Sequence, residues 1–439
     1  MAEPIGDVRV GPGSPETRAA LPGRTAEGVA RQRSVAVAGA VGAVVARYVL
    51  DLTVARRAGA ATYGDYAVLL AYATSASMLA GLGFADLANR EVTRLRHAGL
   101  VADGVAFEWV GSSVSVVLAA VVGALVGLAG ARVGTLPAQA PAILALLVPA
   151  LTSFAFGRQL SVISRHRTMG YLSQVGVLVL AALLVALASM VTTLTLTLIV
   201  AALVGAYLAV NAVQFAAGLG GKPTEGRYES STLRRWLRSG GIVSLNNGAT
   251  VLTSVVDLLF IGWFANAVTT GYYAAASRVS LLVTLALSGL VLRDGPEMGR
   301  LLARGEAEAC WRYFRGSRRV SGALGALTAL AIVLLGPILL GVFGPGFRSM
   351  WAVLVILTAG RLVSAATGPV AVLLIAAGRE RVAATSAWIG LAIATALVIG
   401  LGHVYGPTGV AVGAAVGIAF QNLLQTFLAR RTVLEARRG

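Results

Sequence analysis

The sequence predicts an all-α integral membrane protein with twelve transmembrane helices in two parallel six-helix halves. Three observations predict it. First, 57% of the 439 residues are hydrophobic and only 13% charged, where a soluble domain carries about 25% charge. Second, the apolar runs are long and continuous. Each approaches the ~20 residues a helix needs to cross a ~30 Å hydrocarbon core, and the short alternating strands of a barrel are absent. Third, one segment occurs twice. DLTVARRAGAATYGDYAVL starts at Asp51 and DLLFIGWFANAVTTGYYAAA at Asp257. In both, the Asp closes an apolar run. A short loop, a Gly (Gly64, Gly271) and a Tyr two residues on (Tyr66, Tyr273) open the next run. Two such hairpins half a chain apart, each with an acid at membrane depth, are the mark of a duplicated transporter with a site between its halves.

In chain order the expected spans are 34–55, 66–87, 107–131, 139–157, 170–190, 193–218, 240–262, 269–292, 320–343, 350–377, 381–403 and 408–429. The sequence SMVTTLTL between the fifth and sixth carries no charge. It fits either a tight turn or a distortion in one long helix. Residues 1–33, rich in Pro, Gly, Arg and Ala, read as a disordered cytoplasmic tail. The first half then covers 34–218, a linker 219–239, the second half 240–432 and a short tail 433–439.

Basic residues set the orientation. Of 36, 29 fall in the tails and in alternate connections; only Arg56, Arg57, Arg132 and Arg348 fall in the others. With both termini cytoplasmic this matches the excess of Arg on inner loops. It also explains the net charge of +17 without nucleic acid. The reading is a multi-pass membrane protein. The basic 293–319 connection is expected to lie along anionic inner-leaflet lipid, or to meet a protein partner. Trp109, Trp236, Trp263, Trp311 and Trp351 sit near span ends as an aromatic belt.

The loops exclude several function classes. Outer loops are too short to assemble a membrane enzyme's acids and histidines. Inner loops are too short for a nucleotide-binding domain. Cys310 is the only cysteine, so no disulfide framework or Cys-based metal site exists, and no metal is expected at the isolated histidines. A non-enzymatic transporter without a cofactor is the expectation.

Residues 62–96, TYGDYAVLLAYATSASMLAGLGFADLANREVTRLR, resemble the second-span signature of polysaccharide flippases. These are the polysaccharide transporter family of the multidrug/oligosaccharidyl-lipid/polysaccharide exporter superfamily. The shared features are Gly64 with Tyr66, Gly81-Leu82-Gly83, and Arg90-Glu91. Asp257 through GYYAAASR resembles the family's seventh and eighth spans. GPILLGVFGPGFRSMWAVLVILTAGRLV is similar to its ninth-span exit, and GRERVAATSAWIG and GPTGVAVGAA to its last two spans. The resemblance runs over about 34–432. It implies two six-helix bundles around a central cavity that move a polyprenyl-diphosphate-linked oligosaccharide by alternating access. Twelve spans favour the O-antigen, capsule or exopolysaccharide branch, which implies a bacterial inner membrane and a glycosyltransferase or polymerase of the same pathway as partner for the 293–319 connection. Two alternatives stay open: a cation-coupled multidrug antiporter of the same superfamily, and a non-transporting scaffold for polysaccharide assembly.

Charges inside the membrane cost about 2.5–3.5 kcal/mol each on insertion scales, so they face a partner or a cavity. Arg47, Arg278 and Arg361 are the candidate diphosphate ligands, since a guanidinium gives a permanently charged planar fork. Arg47 and Asp51 share a helix face at a spacing of four and also suit a plain internal ion pair. Asp257 shares a face with Asn246, Thr250 and Ser254. These and Asp51 are the candidate cavity or coupling residues, for H⁺ or Na⁺. Asp257 has no charged neighbour in sequence, so Arg47, Arg278 or Arg361 are its expected partners across the cavity. Asp86 and Arg90 form a candidate gate at the cytoplasmic end.

Overall fold

A computed structural model describes residues 26–97, 101–163, 167–218 and 230–435. These form thirteen α-helices and no strand among the described residues. The first half contains α1 (Ala26–Ala80), α2 (Phe84–His97), α3 (Val101–Val133), α4 (Ala140–Ile163), α5 (Arg167–Val191) and α6 (Leu196–Gly218). The second contains α7 (Ser230–Phe260), α8 (Ala267–Ser280), α9 (Leu285–Ala303), α10 (Ala307–Gly341), α11 (Trp351–Thr367), α12 (Val370–Ala376) and α13 (Glu380–Glu435).

Among the described residues, eight helical segments are long and apolar enough to cross a membrane, against the twelve spans expected. Two of them are double-length. Ser34–Ala80 and Glu380–Arg431 span 47 and 52 residues, and each bends at one glycine. Gly59 has φ 82° and Gly406 has φ 58°, a region L-residues rarely enter. Pro407 follows the second bend and takes the first position of the next arm, where its missing N–H costs nothing. Gly248–Trp263 is apolar but shorter than a span. The region of α8 and α9 is interrupted by a 3₁₀ turn at Leu281–Thr284.

The ambiguous region resolves into two helices, α5 and α6, separated at 192–195. Helix α7 runs from Ser230, so its polar first turns precede the apolar stretch expected from 240. The 293–319 connection is not a separate surface helix. Its residues extend α9 and α10, which turn tightly at Arg304–Glu306 through Gly305 at φ 75°. The Tyr313 and Ser317 hydroxyls on α10 donate to Asp294 on α9 and fix that turn. The tail expectation for 1–33 lies outside the described residues up to 25.

The outside of the bundle is apolar. Val191 is 88% exposed and Leu334 67%, as expected where hydrocarbon rather than water is the solvent. The largest core cluster runs through both halves. A second cluster joins Phe84, Phe107 and Phe156 to Trp236 at one end of the molecule. Trp236 is therefore core rather than belt, buried edge-on against Phe107 at 4.9 Å. Trp109, Trp263 and Trp351 are exposed.

Candidate functional site

The two arms of α1 and the pair α7–α8 bring the repeated segments together. A cavity of about 610 Å³ lies between the halves. At its blind end stand Arg47 and Tyr48 from the first arm of α1, Leu70 from the second arm and Arg278 from α8. From there it runs along Ala43, Ala40, Ser77 and Gly81 to Gly83, Ala85 and Arg158. That second end lies where α1 turns into the basic helix α2.

Asp51 organises the blind end. Arg47 Nε donates to both of its carboxylate oxygens at 3.1 Å. Arg278 Nε, from the other half, pairs with Oδ2 at 2.9 Å. Asp51 is buried, while the two arginine side chains keep 18% and 22% exposure. Each guanidinium thus spends its Nε on Asp51 and turns its remaining N–H groups elsewhere. Arg47 Nη2 has no partner among the described residues, and its Cζ lies 5.8 Å from the Tyr66 ring centroid. Two cations and one anion give the blind end one uncompensated positive charge.

The second repeat treats its acid differently. Asp257 is buried and accepts from the Leu258 N–H at 2.9 Å, the Tyr273 hydroxyl at 3.1 Å and the Ser277 hydroxyl at 3.2 Å. Its charged neighbour is Arg361, whose Nη2 donates to Ser254 O at 3.2 Å, one turn before Asp257. All these groups belong to the second half. The expected pairing of Asp257 with Arg47 or Arg278 therefore does not form, because Asp51 takes both arginines. Arg361 does not line this cavity. It is buried inside the second bundle, separated from the wall that Arg47 and Arg278 share.

The polar stripe on α7 also divides. Thr250 is exposed, while the Ser254 hydroxyl bonds back to Val251 O at 2.6 Å. The side chains of Asn246, Asp86 and Arg90 lie outside the described residues, and the gate reading with them.

Four cavity groups had not stood out in the sequence: Tyr48, Arg158, Gln174 and Tyr207. Arg158 reads there as one loop charge among many. The others are single polar residues in apolar helices, and only helical phase relative to α1 would reveal them.

Beyond the blind end the halves are sealed. Gly64 and Gly271 pack backbone to backbone. A Cβ on Gly64 would lie 2.7 Å from Gly271 N, and one on Gly271 would run into Ala60 O. Around this crossing Tyr63 meets Phe343 and Phe347 at centroid distances of 6.1 and 6.4 Å, and Tyr272 meets Phe347 at 4.8 Å. Tyr48 bonds Leu339 O and packs edge-on to Phe343, and Arg56 caps Val342 O.

The architecture has solved counterparts. An inward-facing multidrug resistance MATE family transporter of the MOP superfamily superposes with a TM-score of 0.76 at 12% identity, covering 90% of this chain and 96% of that one. An outward-facing form of such a transporter gives 0.63 at 12%, over 94% and 96%. A MOP superfamily transporter from Pyrococcus furiosus, described as having a binding pocket of reverse polarity, gives 0.64 at 12%, over 93% and 96%. At such identities the likeness is one of fold, the two-bundle fold of these proteins. A search of curated proteins finds no match. A family model described as polysaccharide biosynthesis protein matches residues 32–292. That stretch holds both copies of the repeated segment and the three charges at the blind end, Arg47, Asp51 and Arg278. With the matched region covering more than half of its length, the chain belongs to the polysaccharide biosynthesis protein family.

Proposed function

We propose that this multi-pass membrane protein is a flippase. Its substrate is a polyprenyl-diphosphate-linked oligosaccharide, carried from the inner to the outer leaflet for cell-surface polysaccharide biosynthesis. One observation carries the reading: Arg47 and Arg278, from opposite halves, converge on one carboxylate at a cavity wall, and Arg47 Nη2 is left without a partner among the described residues. A diphosphate crossing the membrane needs such compensation. Two guanidiniums offer it as charge-assisted, geometrically directed hydrogen bonds. Asp51 keeps both arginines in place when no anion is bound. Since one arginine comes from each half, a bound diphosphate bridges the halves, and substrate binding acts on their relative position.

The cavity ends at the side rich in Arg, which the positive-inside rule assigns to the cytoplasm. The glycine crossing and the aromatic cluster close the opposite side. On this reading the arrangement is that of an inward-facing state. The reading involves no catalysis by the protein. Net positive charge in the cavity disfavours cationic drugs as substrate.

The test is complementation of a deletion strain with Arg47→Ala and Arg278→Ala, followed by lipid extraction. The expected result is normal membrane insertion with accumulation of a lipid-linked oligosaccharide and loss of surface polymer. Normal export by both variants would refute the diphosphate role.

A further inference from the structure

The cavity wall changes character from one half to the other. Both halves line it mainly with apolar residues, but its neutral polar side chains, Thr74, Ser77, Thr152, Gln174 and Tyr207 among them, all come from the first half. The second supplies Val251, Val255, Leu258, Leu281 and Leu282 beside Arg278. The two kinds of surface meet at the Arg47–Asp51–Arg278 cluster.

The polar wall has features suited to a sugar. Tyr207 packs edge-on to Phe154 at 5.2 Å and 71°, and both rings line the cavity. Aromatic rings offer apolar faces to the C–H faces of a pyranose while a phenol bonds its hydroxyls. Gln174 is exposed on this wall. Neither its amide nor the Tyr207 hydroxyl has a hydrogen-bond partner among the described residues. An amide can donate and accept at once, as a sugar hydroxyl requires. The Ser77 and Thr152 hydroxyls bond each other at 2.9 Å and keep acceptor capacity. The opposite wall has no side-chain polar atom between Val251 and Leu258 on the lining face. It can hold hydrocarbon but offers nothing to a glycan.

We propose that the two halves divide one amphipathic substrate: the first-half wall around Tyr207, Phe154 and Gln174 is a glycan subsite, and the Val251–Leu258 and Leu281–Leu282 wall is a track for the first isoprenoid units. This rests on the reading of Arg47 and Arg278 as diphosphate ligands, which stand where the two walls join. Sugar selectivity then resides in the first half, and chain recognition in the second.

The experiment uses the full-length protein in nanodiscs and two probes, undecaprenyl diphosphate and undecaprenyl diphosphate carrying a disaccharide. The parent should bind the glycosylated probe about tenfold more tightly, the gain of a few net hydrogen bonds. Gln174→Ala with Tyr207→Phe should abolish that preference and leave the bare probe's affinity unchanged. Val255→Asn with Leu282→Asn should weaken both probes and keep the preference. Melting temperatures check that each variant is folded. Equal binding of the two probes by the parent, or equal losses for both in the Gln174/Tyr207 variant, would overturn the glycan subsite. Unchanged affinities in the Val255/Leu282 variant would overturn the isoprenoid track. Binding of both probes that survives Arg47→Ala and Arg278→Ala would instead overturn the diphosphate reading beneath them.

Discussion

Gly64 and Gly271, which occupy the same place in the two copies of the repeated segment, touch each other across the interface between the halves. The second arm of α1 and helix α8 thus cross at backbone contact, next to Ala60 and Ala267. Only residues without a Cβ permit that approach. Gly271→Val should therefore prevent closure on this side and favour a state open there. With Cys310→Ser as background, Thr74→Cys places a single thiol on the cavity wall. Labelling of that thiol by an impermeant maleimide from outside should rise several-fold in Gly271→Val. Unchanged labelling would show that the crossing does not gate access.

Asp51 answers to two arginines, so its removal should be felt more than the loss of either. Asp51→Asn leaves Arg47 and Arg278 facing each other without a counter-ion in a largely buried place. Breaking a buried pair costs about 3–5 kcal/mol, and the partial exposure of both arginines lowers the expectation to about 2 kcal/mol. Adding Arg278→Gln should recover part of the loss, since one cation then stands alone. Denaturant titration of the single and double variants in detergent measures this. An Asp51→Asn protein as stable as its parent would contradict the bridge.

Much of this was legible in the chain. Apolar run length gives the helices because hydrocarbon forces every backbone group to pair within its own segment. The Arg47–Asp51 contact follows from a spacing of four on one helix. Gly64 and Gly271 could be matched by eye as copies, but not as neighbours, because a repeat fixes equivalence and not contact. The choice of Asp51 over Asp257 as partner for Arg278 is tertiary. Both acids sit at the same place in their repeats, and only the packing of α8 on α1 decides which one the arginines reach. The surroundings of Arg361 are tertiary in the same way. Helix α11 carries Thr358, Arg361, Ser364 and Thr367 at a spacing of three, so its polar face is legible but not what that face meets.

Asp257 finds all its partners within the second half. Three donors and the nearby Arg361 charge compensate it within one bundle. Arg361→Leu should strip away the cation and destabilise the second half by about 3–5 kcal/mol. Arg361→Leu with Asp257→Asn should restore most of that, because it removes both charges. If the pair is structural, the double variant also keeps transport, with no new dependence on Na⁺ or pH. Loss of transport in a well-folded double variant would return Asp257 to a coupling role.

Trp236 and Trp263 both lie near predicted span ends, yet their environments differ. Trp236 is 4% exposed, wedged against Phe107 between α7 and the first half, whereas Trp263 is 45% exposed. Emptying a buried aromatic site costs about 3–5 kcal/mol, because neighbours collapse only partly into the cavity. Trp236→Ala should therefore lower the melting temperature clearly and loosen the docking of α7 on α2 and α3. Trp263→Ala removes a ring that already faces the surroundings, so its effect should stay within about 0.5 kcal/mol. Thermal unfolding of the two variants in one detergent separates the cases. Equal shifts would mean that Trp236 serves the membrane boundary after all, and that the aromatic cluster it completes does not hold the halves together.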